Sequence, residues 1–524
     1  MPRLFLLSTA VDPPDAPNYG STGKRLGYAP TFYHCYALSD CELMRRTGNR
    51  PHTSIDILDD DSLLNIFYLS RPLLLDKDEE NPARILEGGN WDRERWWYKF
   101  AQVCRRWRYL VLASASHLGL SLVCTRGTPI AKILAAHSAP LPLIIDHLSK
   151  DRDITSEDKK GIMLALEHRD RVRRIRLRFP FTSLRKLIVA LDGDFPKLEY
   201  LYIGPPSTHD SGLKLLDTFR VPNLRHLILR GFALPIRSQF FTTSVNHDLV
   251  TLSLQDIHQS AYFPPNYLLQ RLLDMSQLET LGITFQRLLS DSDFGIQLPH
   301  TPAMTHVTLP KLRWFAFGGR SAYSEMLLPY MRAPVLEKLQ LLFDHQPSFS
   351  VPYLLDFMRT TETVRLTSVR FCFHLSGVSV WGYPREGTRT ETFYLRVGCE
   401  DLYRQVASVV QIFNALGTVI SVVDHLTLEF LRYPISPTTN NRADATEWRN
   451  LLRLFSNVKT LHIDDDFREQ ISGALVLDNG ESPTDLFPEL KVLKYTVIRV
   501  PNYTFHAFAD ARESTGRPVT LVHC

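Results

Sequence analysis

An apolar residue followed by a second three positions on and a third two beyond that recurs along most of the chain. The copies are Val172/Ile175/Leu177, Leu198/Leu201/Ile203, Leu224/Leu227/Leu229, Leu249/Leu252/Leu254, Leu278/Leu281/Ile283, Leu312/Phe315/Phe317 and Leu336/Leu339/Leu341, with later ones at Val423/Leu426/Leu428, Val458/Leu461/Ile463 and Leu490/Leu493/Tyr495. The first steps are 26, 26, 25 and 29 residues, and the step from 278 to 312 is 34. Two apolar positions with one residue between them lie on the same side of a strand. A unit of this length holds one short strand and cannot cover its apolar side alone, so each must be covered by the next. The expected fold is α/β: a solenoid with a parallel sheet on its concave side and helices outside. The alternation alone also fits a two-sheet sandwich; the near-constant step favours the stack.

Several copies are preceded by proline, as in Phe195-Pro196-Lys197-Leu198, Val221-Pro222-Asn223-Leu224 and Phe487-Pro488-Glu489-Leu490, where a missing N–H wastes no donor. Before the first copy, Leu118 to Cys124 and Leu141 to Asp146 read as strands, and Thr155 to Arg171 as a helix capped by Thr155 or Ser156. Between 374 and 421 the rhythm lapses. Val378 to Trp381 and Thr392 to Val397 flank Tyr383-Pro384-Arg385-Glu386-Gly387 as a hairpin, and Leu402 to Leu416 reads as a helix, the whole being expected as a surface elaboration. Phe505 to Glu513 reads as a last helix and Val519 to Val522 as a last strand.

Residues 96–111 have a different period. Phe100, Val103, Cys104, Trp107, Leu110 and Val111 share a helical stripe, with Arg and Lys opposite. Tryptophan at 96, 97 and 107 loads a segment too short to form its own core, so it needs a partner. The run Val103-Cys104-Arg105-Arg106-Trp107-Arg108-x-Leu110-Val111 resembles the third helix of an F-box, and Ile57-Leu58-Asp59-Asp60-Asp61-Ser62-Leu63-Leu64-Asn65-Ile66-Phe67 resembles its first. Two departures stand out. Leu58-Asp59 occupies the place of the family's Leu-Pro, and an insertion at 71–91, with Asp76 to Glu80, Pro82 and Gly88-Gly89, separates the first helix from a second over about Asp92 to Gln102. An F-box of this layout, followed by degenerate leucine-rich repeats, is similar to the large F-box-like families of mushroom-forming fungi.

The resemblance implies a non-catalytic substrate receptor of an SCF-type cullin-RING ubiquitin ligase. Leu58, Leu63, Leu64, Ile66, Phe67, Phe100, Val103, Cys104, Trp107, Leu110 and Val111 would dock on the Skp adaptor, and through it on a cullin, while the repeat surface captures an unknown protein substrate. The expected domains are a mobile leader over 1–53, an F-box-like domain over 54–115 with its insertion at 71–91, and a leucine-rich-repeat-like domain over 116–524 with an irregular insertion at about 374–421. The residues alone also fit a leucine-rich-repeat scaffold whose N-terminal helices only cap the solenoid.

Composition narrows the function classes. At 44% hydrophobic and 22% charged the 524 residues are those of a globular chain, and a net charge of +4 indicates no general attraction to nucleic acid. Seven cysteines without a C-x-x-C pair fit neither a disulfide framework nor a zinc site. No apolar run is long enough for a membrane span, and Met1 to Leu7 makes a poor signal peptide, so cytoplasm or nucleus is expected. Gly20-Ser21-Thr22-Gly23-Lys24-Arg25 lacks the first glycine and the final hydroxyl of a phosphate-binding loop. No catalytic motif, metal-ligand set or cofactor loop is present, and His147, His226 and His462 read as ordinary side chains. One charged run remains. Arg174, Arg176 and Arg178 lie on the strand face opposite Ile175 and Leu177, where they form a solvated row or, by bidentate hydrogen bonds, a substrate-binding site for an acidic or phosphorylated segment.

Overall fold

The apolar triads become strands, and the residue pairs inside them set the register of the sheet. The computed structural model describes residues 57–72, 95–125, 130, 131, 134, 141–148, 154–206, 218–232, 248–258, 261–286, 305–344, 346, 348–361, 364–388, 390–431, 444–476, 482, 484–496 and 505–523. The expected leader, the phosphate-loop fragment and the expected insertion, apart from residues 71 and 72, lie outside them. The described residues divide into two compact units, 57–72 with 97–118, and 95–96 with 119–523.

The first unit is helical: α1 (Asp60–Leu69), α2 (Trp96–Ala101, whose first residue belongs to the second unit), α3 (Arg105–Ala113) and α4 (Ala115–Leu118). The second carries β1 (Leu122–Cys124), β2 (Leu143–Leu148), β3 (Val172–Arg178), β4 (Tyr200–Gly204), β5 (His226–Arg230), β6 (Thr251–Ile257), β7 (Thr280–Phe285), β8 (Val307–Thr308), β9 (Trp314–Gly319), β10 (Met331–Arg332), β11 (Lys338–Phe343), β12 (Ser368–His374), β13 (Gly377–Tyr383), β14 (Phe393–Gly398), β15 (His425–Phe430), β16 (Thr460–Ile463), β17 (Val492–Tyr495) and β18 (Thr520–His523). All but β8 and β10 join one 16-stranded sheet, with order β1-β2-β3-β4-β5-β6-β7-β9-β11-β14-β13-β12-β15-β16-β17-β18. β8 and β10 pair with each other. The fold is thus α/β, with a large and mostly parallel sheet.

Local chemistry explains the repeat. In Phe195-Pro196-Lys197-Leu198 the Leu198 N–H donates to the Phe195 carbonyl at 3.2 Å, and the same turn closes at Leu224, Leu312, Leu336 and Leu490. Proline sits at the second turn position each time, where its fixed φ is already correct. The residue after the turn ties one unit to the last: Glu199 N–H donates to Arg173 O, Arg225 to Glu199 and Glu337 to Arg313, at 2.8, 2.8 and 2.7 Å. Pairing then follows the triads, with Ile175 beside Leu201, Leu227 and Leu252, and Leu177 beside Ile203, Leu229 and Leu254. Every residue of the triads is buried. Helical side chains cover this face. Phe357 meets Phe315, Phe413 meets Phe371 and Phe393, and Trp448 meets Phe373, with ring centroids 5.3–6.5 Å apart.

The segment expected as a surface elaboration is built into the sheet. β13 runs antiparallel to both β12 and β14, while β14 pairs parallel with β11 and β12 pairs parallel with β15. The hairpin β13–β14 therefore adds two strands to the sheet between β11 and β12, and Val378, Val380, Phe393 and Leu395 keep the same period of two and are buried like the triads. The helix expected over 402–416 spans Leu402–Ala415, and the one expected over 155–171 spans Ser156–Glu167 with Thr155 as its cap. The last helix and strand are His506–Ser514 and Thr520–His523. Among the described residues no helix is long and apolar enough to cross a membrane.

Candidate functional site

Two places collect the residues singled out above. The first is the helical unit, where each position of the Cys-Arg-Arg-Trp-Arg run has its own structural task. Cys104 is the N-cap of α3, its sulfur accepting from the Trp107 N–H at 3.5 Å. Arg106 donates through Nε and a terminal nitrogen to Asp60 at 3.0 and 2.7 Å and to the Leu58 carbonyl at 2.6 Å, clamping the start of α1 to α3. Arg108 Nε donates to Ala101 O at 2.9 Å and so satisfies the C-terminal end of α2. At the other end of the clamp Asp59 caps α1, and the Ser62 N–H it receives holds its carboxyl below the usual carboxylate range.

Trp107 turns inward. Its ring lies 5.0 Å from Phe67 and 6.1 Å from Phe100, only 7% of the residue is exposed, and among the described residues its indole N–H meets no acceptor. Leu63, Phe67, Leu110 and Val111 are buried with it, whereas Leu58, Leu64, Phe100 and Cys104 are half-buried. The expected outward stripe is corrected accordingly: of its eleven members only Ile66 and Val103 are exposed. A helical segment this short must spend its largest side chains on its own interior. The exposed apolar groups are instead Ile57, Ile66, Tyr68, Leu69, Val103 and Tyr109, with Leu69 81% and Tyr109 72% exposed. Ile66 and Leu69 are neighbours at i, i+3 on α1. Tyr109 follows Arg106 by one turn of α3.

The second place is the polar face of the sheet, opposite the triads. Register pairs Asp146 with Arg176, Arg176 with Tyr202, Tyr202 with Ile228 and Ile228 with Ser253. A neighbouring row runs Arg174, Tyr200, His226, Thr251. Arg174, Arg176 and Arg178 share this face as expected, but they do not form a solvated row. Arg176 is 4% exposed and ion-paired with Asp146 at 3.1 Å. Arg174 is half-buried, its guanidinium 5.0 Å from the Tyr200 ring centre, and Arg178 is half-buried. Burial pushes the Asp146 carboxyl up to about 7, although Arg176 and then Arg174 pull it down. Arg230 joins them from β5, its Nε donating to Asp256 at 2.6 Å.

Asp146, Tyr202 and Arg230 were not singled out from the sequence. The 26-residue step carries position 176 onto 202 and 228, so aligning the residue between the two inward positions finds Tyr202 at once. Asp146 precedes the first triad and Arg230 follows the third, outside the template. Farther along the sheet the hairpin brings together Trp381, Tyr394 and Arg370, with Arg370 bonded to Glu429. Burial pushes the thiols of Cys124 and Cys372 up to about 11 and about 12, and that of Cys399 upward too, which leaves them protonated at neutral pH. Among the described residues no group of three or more His, Cys, Asp or Glu side chains is placed to hold a metal ion.

No family model matches the chain, and no curated protein matches it.

Proposed function

We propose that the protein is a non-catalytic substrate receptor of an SCF-type ubiquitin ligase, working in the cytoplasm or nucleus, whose helical unit docks on a Skp adaptor and through it on a cullin. The large sheet is that of a leucine-rich-repeat solenoid, and its polar face captures the protein to be modified. In support of the solenoid, strand follows strand in chain order from β1 to β7 and again from β15 to β18, with neighbouring units tied by the same backbone bond after the turn. The receptor role is proximity catalysis: holding a substrate lysine near a conjugating enzyme raises its effective concentration.

The docking proposal is carried by one observation beside the F-box resemblance. A small helical unit that buries Trp107, Phe67 and Leu63 still exposes Ile57, Ile66, Leu69, Val103 and Tyr109. Exposed large apolar groups on so short a segment mark a surface that another subunit covers. The docking residues are therefore these, with Leu58 and Leu64 at their margin, and Trp107 acts by holding α1 against α3.

Co-purification of the full chain with a Skp adaptor tests the proposal. The wild-type chain retains the adaptor, and a Leu69→Asp, Tyr109→Asp double variant, altered only at exposed positions, loses it while keeping its helical content. A wild-type chain that retains no adaptor leaves the alternative, a repeat scaffold whose N-terminal helices only cap the solenoid. The burial of Trp107, Phe67 and Leu63 within the unit is the observation that favours that second reading.

A further inference from the structure

The helical unit keeps its charges apart. Residues 97–118 contain no Asp or Glu and carry Lys99, Arg105, Arg106 and Arg108, while Asp59, Asp60 and Asp61 stand together at the start of α1. Arg106 joins the two groups through its bond to Asp60. The other three cations are exposed. Among the described residues Lys99 and Arg105 make no ion pair or side-chain hydrogen bond, and Arg108 spends only its Nε, on Ala101 O.

These free cations border apolar groups that are equally uncovered. Arg105, Arg108 and Tyr109 stand at i, i+3 and i+4 on α3 and share one stripe, opposite the buried stripe of Trp107, Leu110 and Val111. The Arg108 bond to Ala101 O brings that stripe to the end of α2. Val103 follows directly, its N–H donating to Phe100 O at 3.2 Å. Val103 is 59% exposed and Tyr109 72%. Exposed arginines alone are ordinary surface. Here they adjoin large apolar side chains and face no carboxylate, and one kind of neighbour satisfies both: a protein surface with an apolar centre and an acidic rim. A nucleic-acid backbone fits less well, since three cations make a short phosphate track and leave Val103 and Tyr109 without use. An anionic membrane needs a broad apolar face, and α3 turns Trp107, Leu110 and Val111 inward.

We propose that the α3 face of Lys99, Val103, Arg105, Arg108 and Tyr109 docks on an acidic protein surface. Val103 and Tyr109 fill its apolar centre, and the three cations pair with carboxylates at its rim. With the adaptor as the docking partner proposed above, the side of the adaptor that meets α3 is rich in Asp and Glu, so this assignment rests on that reading. Arg106 takes no part, being held by Asp60 and the Leu58 carbonyl. Cations at a rim act on encounter: they draw an oppositely charged partner in and change its departure little.

Association kinetics of the full chain with a purified Skp adaptor, by surface plasmon resonance between about 50 mM and about 500 mM sodium chloride, test the face. The wild-type association rate falls about tenfold or more across this range, while dissociation changes little. Lys99→Glu with Arg105→Glu slows association about tenfold at the lowest salt and flattens the salt dependence. Neither residue has a partner to lose, so the variant keeps its helical content. Arg185→Glu with Lys186→Glu, an equal change of charge at exposed positions of the helix Phe181–Ile188 in the second unit, leaves the rate near that of the wild type. A complex that still forms, at a rate indifferent to salt and to Lys99→Glu with Arg105→Glu, overturns the proposal and leaves the docking reading standing. No complex at any salt removes both. Phosphatidylserine–phosphatidylcholine vesicles and a duplex DNA serve as parallel arms. Binding of either by the wild type that Lys99→Glu with Arg105→Glu abolishes gives the face to that ligand and overturns the proposal too.

Discussion

Trp107 shows how a residue can be legible in type and misjudged in direction. Its place on an apolar stripe follows from the spacing of Phe100, Val103, Leu110 and Val111. Whether a stripe faces a partner or the unit's own interior depends on where α1 comes to lie, and the Arg106 clamp to Leu58 and Asp60, 48 and 46 positions away in sequence, decides that. The indole therefore acts through stability. Trp107→Ala should cost about 3–5 kcal/mol in denaturant unfolding of the helical unit. Trp107→Phe keeps the ring contacts and removes a buried N–H that meets no acceptor among the described residues, so it should cost less than about 1.5 kcal/mol. Similar losses for the two would contradict the packing role. Asp146 gives a second prediction at this scale. Its carboxyl keeps its proton in the folded chain up to about pH 7, while in the unfolded chain it ionises near its ordinary value of 3.8. Between these values the unfolded state binds fewer protons, so the stabilisation this group supplies is full below about pH 4 and is lost as pH rises toward 7. Asp146→Asn should flatten that part of the stability profile between pH 4 and 7, measured by denaturant midpoints. An unchanged slope would show that the carboxyl is ionised throughout.

The strands were the most legible elements, because a period of two and a fixed step reach the sequence directly. Ile175, Leu201, Leu227 and Leu252 could be placed side by side from their spacing alone. The hairpin was legible as a hairpin and not as part of the sheet. Periodicity fixes which side of a strand is apolar, and it leaves the neighbour unspecified. Here β13 reverses direction between two parallel neighbours, and Gly377 makes the reversal possible. Its φ is +151°, and a Cβ there would stand 2.2 Å from the Val397 carbonyl oxygen. Gly377→Val should therefore open the β13 to β14 pairing, at a cost of about 1–3 kcal/mol from the backbone conformation alone. Hydrogen exchange reads this directly. Amide protection should fall in 377–383 and 393–398 while 200–204 keeps its own. Unaltered protection in the hairpin would mean that the glycine is not required.

For the whole molecule the division of labour follows from two surfaces. One face of the sheet is apolar and covered by helices, which fixes the fold. The other carries the buried Arg176–Asp146 pair and the buried cluster of Tyr200, Tyr202 and Ile228, and in the proposed receptor reading it is the face that captures the substrate. The helical unit, a separate compact body, keeps exposed apolar groups that its own interior does not use. Composition hid both, since a net charge of +4 conceals a local cluster of arginines and an apolar residue reads the same whether it is buried or exposed. The most direct measurement is calorimetric titration of the purified full chain with a purified Skp adaptor. The receptor account predicts an equimolar complex that Leu69→Asp with Tyr109→Asp weakens by about thirtyfold or more, as loss of a central anchor does, and that Trp107→Phe leaves intact. No heat of binding with the wild-type chain would contradict it.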